Sequence, residues 1–402
     1  MTQTLLLDLD DTLLGNPMDT FVRVYTRALA KQFTAYVEPG KLIQCLLLAT
    51  GKMAANQRPD RTMEEVFDAE FYPAIGVTKE EVAGTIEAFY RDVFPTFKDL
   101  TEYWPEAVRL VEGAFERGYQ VGIATNPLFP RSAIIQRLEW AGLSPEKYPF
   151  ILIPDYQTFH FAKPNPAYFA EWLAQAGWPE GPVIMVGDAL DMDILSARQM
   201  GLSAYWIPRD GASPSAGPAP SATGKHADLL NWLDTTPEEK LIPDYSTIQA
   251  ILSILRSTPA ALDVLKDKIP AQNWIIRPAQ EEWCLAEIVC HLRDVEQEVN
   301  LPRFEKITQE ENPFLPGMDT DPWANTRQYI IQDCMEATEA FTNARIQSLN
   351  ILDRLSPESW KRTARHSIFG PTELKEIVRI NASHDRLHIQ QIHQVLRATL
   401  AP

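Results

Sequence analysis

Cysteine and long apolar runs are both scarce in this chain. Its 402 residues include four cysteines, none of them in a Cys-x-x-Cys pair, which favours a reducing compartment over a disulfide framework. Asp8 interrupts the apolar start, so we expect no signal peptide. Since no stretch of about 20 apolar residues stands out, we also expect no membrane span and a cytoplasmic location.

An excess of positive charge is missing as well. The chain has 37 Lys and Arg against 54 Asp and Glu, and a net charge of -17. Nucleic acids and anionic membranes are bound through clusters of Lys and Arg, so we expect neither as a partner. The length exceeds that of one ordinary core, and a hydrophobic content of 45% can build two.

Carboxylates cluster near the N-terminus. The apolar stretch 5–7 leads directly into Asp8, Asp10 and Asp11, without proline or glycine between them. Like charges at such spacing repel unless protons, basic side chains or a metal neutralise them, and no basic residue is close in sequence. A divalent cation with oxygen ligands, Mg²⁺ above all, fits best. A solvated acidic turn after an edge strand is the alternative.

Three later segments favour the metal. The apolar stretch 121–124 precedes Thr125, and Lys163 lies just before a pair of prolines that opens a helix. A third apolar stretch, 183–186, is followed by Gly-Asp and, five residues on, by Asp193. We therefore expect these polar groups near the carboxyl ends of parallel strands, where open α/β sheets bind ligands.

In order and spacing these segments resemble the four motifs of the haloacid dehalogenase-like (HAD) hydrolases, and the resemblance covers roughly residues 1 to 238. It implies that Asp8 attacks phosphorus and forms an aspartyl-phosphate intermediate. Asp10 would protonate the leaving alcohol and then deprotonate the attacking water. The binding residues for the phosphoryl group would be Thr125, Asn126 and Lys163.

The same resemblance implies a Mg²⁺ site. Its ligands would be the Asp8 carboxylate, the Asp10 backbone carbonyl and Asp188, with Asp193 orienting them from behind. The dehalogenases of the family lack the second acidic residue and do not use Mg²⁺, so Asp10 favours a phosphatase. The substrate class would be a small phosphorylated metabolite.

The first domain is predicted to span residues 1–240, with a Rossmann-like α/β core at about 1–14 and 99–240. The helical periodicity of about residues 15–98 predicts a cap that closes over the active site. Polar or aromatic side chains of the cap, Lys52, Arg58, Arg61 and Phe71, are candidates for substrate contact, although an exposed cap surface explains them equally well.

The alternation of strands and helices stops after residue 240, and a helical domain is predicted for residues 244–402. The Gly- and Pro-rich stretch 210–221 resembles a linker in composition, but the helical pattern at 227–233 follows it. We therefore expect a loop within the first domain there.

Three histidines stand out in the second domain. His384 and His388 are one helical turn apart and share a face, and His291 lies on the apolar side of another amphipathic helix. Two inward imidazoles plus a third could form a three-nitrogen metal site with open positions. Histidines satisfied within the core are the alternative. His366 and His393 are weaker candidates because neither fits this pattern.

The spacing and surroundings of these histidines resemble the DinB-like metal-binding four-helix bundles. Asn273-Trp274, Glu282-Trp283 and the stretch 370–374 carry the resemblance together with the histidines. It implies an all-α four-helix bundle that binds Zn²⁺ or Ni²⁺ through His291, His384 and His388 and can form a homodimer.

The sequence as a whole thus predicts a Mg²⁺-dependent phosphatase fused to a metal-binding bundle. Two alternatives stay open for the bundle. It could be the main catalyst, a thiol-dependent transferase or isomerase, or it could be a non-catalytic dimerisation module.

Overall fold

The computed structural model describes residues 2–209 and 218–400. The chain divides into two compact units, one comprising residues 1–57, 61–172 and 179–245, the other residues 58–60, 173–178 and 246–402. Most of the predicted loop at 210–221 lies outside the described residues, because 210–217 are not among them.

In the described part of the first unit the strands are β1 (Thr4–Leu7), β2 (Leu14–Gly15), β3 (Glu102–Tyr103), β4 (Gln120–Ile123), β5 (Val183–Gly187), β6 (Ser203–Trp206) and β7 (Ala222–Thr223). Five of them form a parallel sheet in the order β4-β1-β5-β6-β7, and β2 pairs with β3. β1 and β5 read as continuous apolar runs because both are fully buried. Their carboxyl ends meet at the centre of one sheet edge.

The α-helices among the described residues of this unit are α1 (Met18–Gln32), α2 (Pro39–Ala54), α3 (Met63–Ile75), α4 (Lys79–Ala88), α5 (Pro105–Glu116), α6 (Arg131–Trp140), α7 (Pro166–Gln175), α8 (Ser196–Met200) and α9 (His226–Thr235). The first four form the cap between β2 and β3. Thr62 and Thr78 begin α3 and α4 with reciprocal capping boxes to Glu65 and Glu81. Gly76 ends α3 at a φ of 78°, which glycine adopts without steric cost.

The second unit is mainly helical. Its helices are α10 (Ile248–Lys268), α11 (Leu285–Val295), α12 (Leu301–Gln309), α13 (Trp323–Thr326), α14 (Cys334–Leu352) and α15 (Leu374–Leu400), with the short strands β8 (Phe314–Leu315), β9 (Thr363–His366) and β10 (Gly370–Glu373). α10, α11, α14 and α15 form the bundle, and a π-helical turn at Glu296–Asn300 continues α11 into α12. A parallel α/β core with a helical cap, followed by a helical bundle, is the predicted architecture.

One expectation from the sequence needs correction. α10 is long and apolar enough to cross a membrane by length and composition, with a mean hydropathy of 1.3. Arg256 in the middle of the helix and Asp263 in its second half interrupt the apolar side chains, so the sequence shows no continuous apolar run there. However, 67% of that apolar window is buried inside the protein, as in the core helix of a bundle.

Candidate functional site

Asp8 follows β1 directly, and its side chain points to a buried lysine. Lys163 Nζ donates hydrogen bonds to Asp8 Oδ1 at 2.8 Å and to Asp193 Oδ1 at 2.6 Å. All three side chains are nearly excluded from solvent. The peptide N–H of Ala189 donates to Asp193 Oδ2 at 3.0 Å, which fixes the second carboxylate. One cation therefore holds two carboxylates that are 185 residues apart in sequence but adjacent in space.

Asp188 follows the neighbouring strand, β5. Arg209 Nε donates to Asp188 Oδ2 at 2.5 Å, and the same guanidinium forms an ion pair with Asp11 at 2.6 Å. The Thr12 hydroxyl donates to Asp188 Oδ1 at 3.4 Å. Asp11 has a φ of 57°, in the left-handed region, and the chain turns sharply there after β1.

Asp10 is held from two sides. Asn16 Nδ2 donates to its Oδ1 at 2.7 Å, and Arg137 Nη1 donates to its Oδ2 at 2.5 Å. Arg137 lies on α6, is only 1% exposed, and stacks on the ring of Phe129 with 4.7 Å between Cζ and the ring centroid. These contacts fix the orientation of the Asp10 carboxyl.

Asn126 acts on the backbone of Lys163. Its Oδ1 accepts a hydrogen bond from Lys163 N at 3.1 Å, and its Nδ2 donates to Lys163 O at 3.4 Å. Thr125 is buried beside it, with its own carbonyl bonded by the Tyr168 hydroxyl at 2.8 Å. In the segment that follows β4, Asn126 thus positions the lysine and Thr125 presents a hydroxyl.

Most of these side chains line one cavity of about 180 Å³, which we call the carboxylate cleft. Its lining contains all seven residues that the sequence assigned to this site: Asp8, Asp10, Thr125, Asn126, Lys163, Asp188 and Asp193. The carboxylates of Asp8, Asp188 and Asp193 each offer an oxygen within 4.8 Å of the others, which suits a hard cation such as Mg²⁺. The Asp10 side chain is not in that group of three, and its carbonyl as a ligand stays a prediction.

Burial dominates the electrostatics of this cluster. Desolvation, with a smaller contribution from Asp193, raises the pKa of Asp8 to about 7 although Lys163 opposes the shift. Desolvation and the charge of Asp8 raise the pKa of Asp188 to about 6. Burial lowers the pKa of Lys163, but the carboxylates of Asp193 and Asp8 outweigh it and leave this pKa above its usual value. The lysine therefore stays charged, and the carboxylates lack full compensation.

Two basic residues of the cleft were missed in the sequence. Arg209 follows the end of β6 by three residues, so the rule that placed the other polar groups at strand ends could have found it. Arg137 gives a weaker signal, because it is a single arginine among the buried Ala133, Ile134 and Leu138 on one face of α6. No basic residue is close to Asp8 in sequence, but the fold brings Lys163, Arg137 and Arg209 to the cleft.

The second candidate site lies in the bundle. His384 Nε2 is 3.1 Å from His291 Nε2 and 3.1 Å from His388 Nε2, so three ring nitrogens converge on one point. The Trp283 ring stacks parallel to the His388 ring at 6.1 Å and lies 5.0 Å from the His291 ring. Gln391 faces His388 Nδ1 at 2.9 Å and leaves Nε2 for a ligand.

Burial also sets the protonation of these histidines. Desolvation, reinforced by His388, lowers the pKa of His291 to about 3, and burial lowers the pKa of both His384 and His388. Neutral imidazoles are the form that binds metal. His366 stacks on Phe369 and accepts from two backbone N–H groups, and neither it nor His393 belongs to the converging group.

A buried ion network adjoins this histidine cluster. Arg345, from α14, is bonded to Glu296 at 2.8 Å and to Asp385 at 2.5 Å, and all three side chains are 1% exposed or less. The Ser348 hydroxyl adds a bond of 2.6 Å to Glu296. Because Asp385 follows His384 directly, the network ties α14 and the π-helical turn to the helix that carries two of the three imidazoles.

Comparisons with known proteins agree with this division. Residues 2–201 match the family model of haloacid dehalogenase-like hydrolases, and residues 254–392 match that of the DinB superfamily. No curated protein matches the chain.

Similar solved structures include a HAD phosphatase from Thermococcus onnurineus, with 20% identity, coverage of 58% of this chain and 98% of that chain, and a TM-score of 0.39. A 2-haloacid dehalogenase from Pseudomonas syringae pv. Tomato DC3000 has 21% identity, coverage of 58% and 99%, and a TM-score of 0.42. YfiT from Bacillus subtilis, a four-helix bundle, has 19% identity, coverage of 37% and 84%, and a TM-score of 0.34. Likenesses this low do not bear on function.

The chain combines a hydrolase domain with a helical-bundle domain. Its first domain belongs to the haloacid dehalogenase-like hydrolases and its second to the DinB superfamily, as the sequence predicted.

Proposed function

We propose that the first domain is a Mg²⁺-dependent phosphatase that acts on a small phosphorylated metabolite through an aspartyl-phosphate intermediate. The observation that carries this proposal is the carboxylate cleft: Asp8 at the end of β1, paired with Lys163, beside Asp188 and within reach of a second acid, Asp10. Phosphoryl transfer depends on a positioned nucleophile and on compensating charge, and the cleft supplies both.

Each residue of the cleft has a separate role in the proposed reaction. Asp8 attacks phosphorus, and Lys163 offsets the charge of the nucleophile and of the phosphoryl group. Asp10, oriented by Asn16 and Arg137, gives its proton to the leaving alcohol and then accepts one from the water that cleaves the Asp8–phosphorus bond. The net reaction is a phosphomonoester plus water giving the alcohol and inorganic phosphate. Bound Mg²⁺, held by Asp8 and Asp188, would supply further charge for the phosphoryl oxygens.

Asp10 separates this proposal from a dehalogenase. Hydrolysis of a carbon–halogen bond requires no general acid for the leaving halide, whereas an alkoxide does. A carboxyl in the cleft whose orientation is fixed by two side chains therefore favours a phosphate ester.

For the bundle we propose a divalent transition metal, Zn²⁺ or Ni²⁺, bound by His291, His384 and His388. Three converging neutral imidazoles support such a site and leave positions for water or a substrate. A thiol-dependent transferase or isomerase and a dimerisation module remain the two candidate roles. We further propose a cytoplasmic protein with no nucleic-acid or membrane partner, forming homodimers through the bundle.

Phosphate release from a panel of phosphomonoesters, with and without Mg²⁺, tests the phosphatase. Asp8→Asn keeps the shape but removes the nucleophile, and we expect a loss of about a thousandfold or more in kcat. Asp191→Asn is the matched control because Asp191 is an exposed neighbour that does not line the cleft. Turnover that Asp8→Asn leaves unchanged would refute the proposal.

A further inference from the structure

A second cavity, which we call the apolar cavity, lies between the cap helices and the core. It has a volume of about 160 Å³ and is walled mainly by aliphatic and aromatic side chains. α1 contributes Val22 and Leu29, α2 contributes Thr50 and Met53, and α3 contributes Phe71. An engineered cavity of about 150 Å³ accommodates benzene, so this one has room for about one ring.

Its wall offers little to a polar ligand. Among the described residues that line it, none is charged and none is an amide or a histidine. The hydroxyls of Tyr25 and Tyr90 bond to each other at 2.8 Å, and the other polar side chains of the described lining are the hydroxyls of Thr26, Thr50, Tyr72 and Tyr156. Of the four cap residues that the sequence offered as substrate contacts, Phe71 lines the cavity, whereas Lys52, Arg58 and Arg61 are not among its described lining residues.

The apolar cavity shares a wall with the carboxylate cleft. Met18, Leu128 and Phe129 line both. Phe129 packs against Arg137, which holds the Asp10 carboxyl at 2.5 Å. The cavity therefore lies beside the cleft, on the side where Asp10 would give its proton to the leaving alcohol.

We propose that the apolar cavity binds the leaving group, and that the substrate is the phosphate monoester of an apolar alcohol about the size of one aromatic or alicyclic ring. This inference rests on the phosphatase proposed above. A wall without cations cannot compensate a second phosphate or a carboxylate, which disfavours nucleotides and sugar bisphosphates. A wall with few free hydrogen-bond partners likewise disfavours sugar monophosphates, because their hydroxyls would lose water without replacement.

The test compares 2-phenylethyl phosphate with n-propyl phosphate. Both are esters of primary alcohols with similar leaving-group basicity, so the ring is the main difference. We expect kcat/KM to be about twentyfold or more higher for the phenyl compound, because burying the ring in the cavity stabilises the transition state. 3-Phenylpropylphosphonate and n-butylphosphonate are the unreactive counterparts, and calorimetry should show the same order of affinity.

Thr50→Phe and, separately, Val22→Phe place a ring inside the cavity from two half-buried positions. We expect either to reduce the phenyl preference to less than about threefold. Leu48→Phe makes a similar change at a side chain that is 58% exposed and does not line the cavity, and should preserve the preference. Thermal unfolding checks that each variant folds.

The outcomes separate the two proposals. Equal kcat/KM for the two esters would overturn the apolar substrate while the phosphatase stands. A preference that survives both filling variants would overturn this cavity as the binding site. If neither ester is hydrolysed, the panel of phosphomonoesters decides the phosphatase and the phosphonates decide the cavity. Tighter binding of the phenyl compound that Thr50→Phe abolishes supports the cavity, and equal or absent binding overturns it.

Discussion

In the carboxylate cleft, three buried acids face a lysine and an arginine. In the bundle, three imidazoles face one another, and no charged side chain among the described residues is bonded to their converging nitrogens. Burial acts on both sets in the same way, since it disfavours the charged form. It raises the pKa values of Asp8 and Asp188 and lowers those of His291, His384 and His388. Burial therefore favours protonated carboxyls in the cleft and deprotonated imidazoles in the histidine cluster.

Because of this difference, the two sites should bind different metals, and each should bind its metal over a different pH range. Carboxylate oxygens favour a hard cation such as Mg²⁺, and neutral imidazoles favour Zn²⁺ or Ni²⁺. A proton competes with the metal in the cleft near neutral pH, but it competes in the bundle only under acidic conditions. Metal binding to the two domains can therefore be compared within the same protein.

The largest effect we expect concerns charge in the bundle. Arg345→Met leaves Glu296 and Asp385 buried without a cation, which should lower the free energy of unfolding by about 3–5 kcal/mol. Burial alone raises the pKa of Asp385, and Arg345 opposes that shift, so its removal pushes this carboxyl further toward the protonated form. Urea unfolding followed by circular dichroism measures the loss.

Lys361→Met is the control for Arg345→Met, since Lys361 and Glu358 form an exposed pair and little change is expected. Replacing Glu296, Arg345 and Asp385 together by apolar residues should restore much of the stability. A small loss in Arg345→Met would mean that water or protons compensate the two acids, and that the bundle tolerates buried charge as the cleft does.

The next effect separates the two metals. His384→Ala removes the imidazole that lies 3.1 Å from both others, and we expect the affinity of the bundle for Zn²⁺ to fall by about a hundredfold or more. Mg²⁺-dependent phosphate release should stay within about twofold. Competition with a chelating fluorophore measures the first quantity, and a phosphate assay the second.

His366→Ala is the matched control for His384→Ala because it removes a buried histidine of the same domain outside the converging group. Unchanged Zn²⁺ affinity in His384→Ala would place the metal elsewhere. A parallel loss of phosphate release would mean that the two sites do not function independently.

Sequence alone predicted the parts of each site that local rules govern. Asp8, Thr125 and Asp188 follow apolar strands whose carboxyl ends must meet, and His384 and His388 are one helical turn apart. The same reasoning missed Arg137, because the rotation of α6 against the sheet decides where that side chain points. Arg345 likewise lies 49 residues from Glu296 and 40 from Asp385, so only packing brings them together.

A pH series should distinguish the two sites. Mg²⁺ binds ionised carboxylates, and the pKa values of Asp8 and Asp188 are about 7 and 6, so protons compete increasingly as the pH falls. From pH 8 to pH 6 we expect the Mg²⁺ affinity to fall, approaching tenfold per pH unit for each proton displaced. The pKa of His291 is about 3, so protonation of the bundle site should cost less than about threefold in Zn²⁺ affinity over the same range.

Calorimetry with Mg²⁺, and chelator competition with Zn²⁺ corrected for the chelator's own protonation, give the two slopes. The Asp191→Asn variant should reproduce the Mg²⁺ slope, because Asp191 lies outside the cleft. Equal slopes for the two metals would contradict the opposite effects of burial on acids and imidazoles.

The smallest effect concerns the arginine that has no counterpart in the bundle site. Arg209 bonds Asp188 and pairs with Asp11, yet its side chain is 56% exposed, so solvent screens the interaction. A metal ligated by Asp188 competes with this guanidinium, so Arg209→Met should tighten Mg²⁺ binding by about threefold. Arg91→Met is the control, because Arg91 forms an exposed ion pair outside the cleft. Weaker binding in Arg209→Met would show instead that the arginine holds Asp188 in the orientation that ligation needs. In that case the metal site of the cleft would depend on a cation that positions its ligand, whereas the imidazoles of the bundle converge without one.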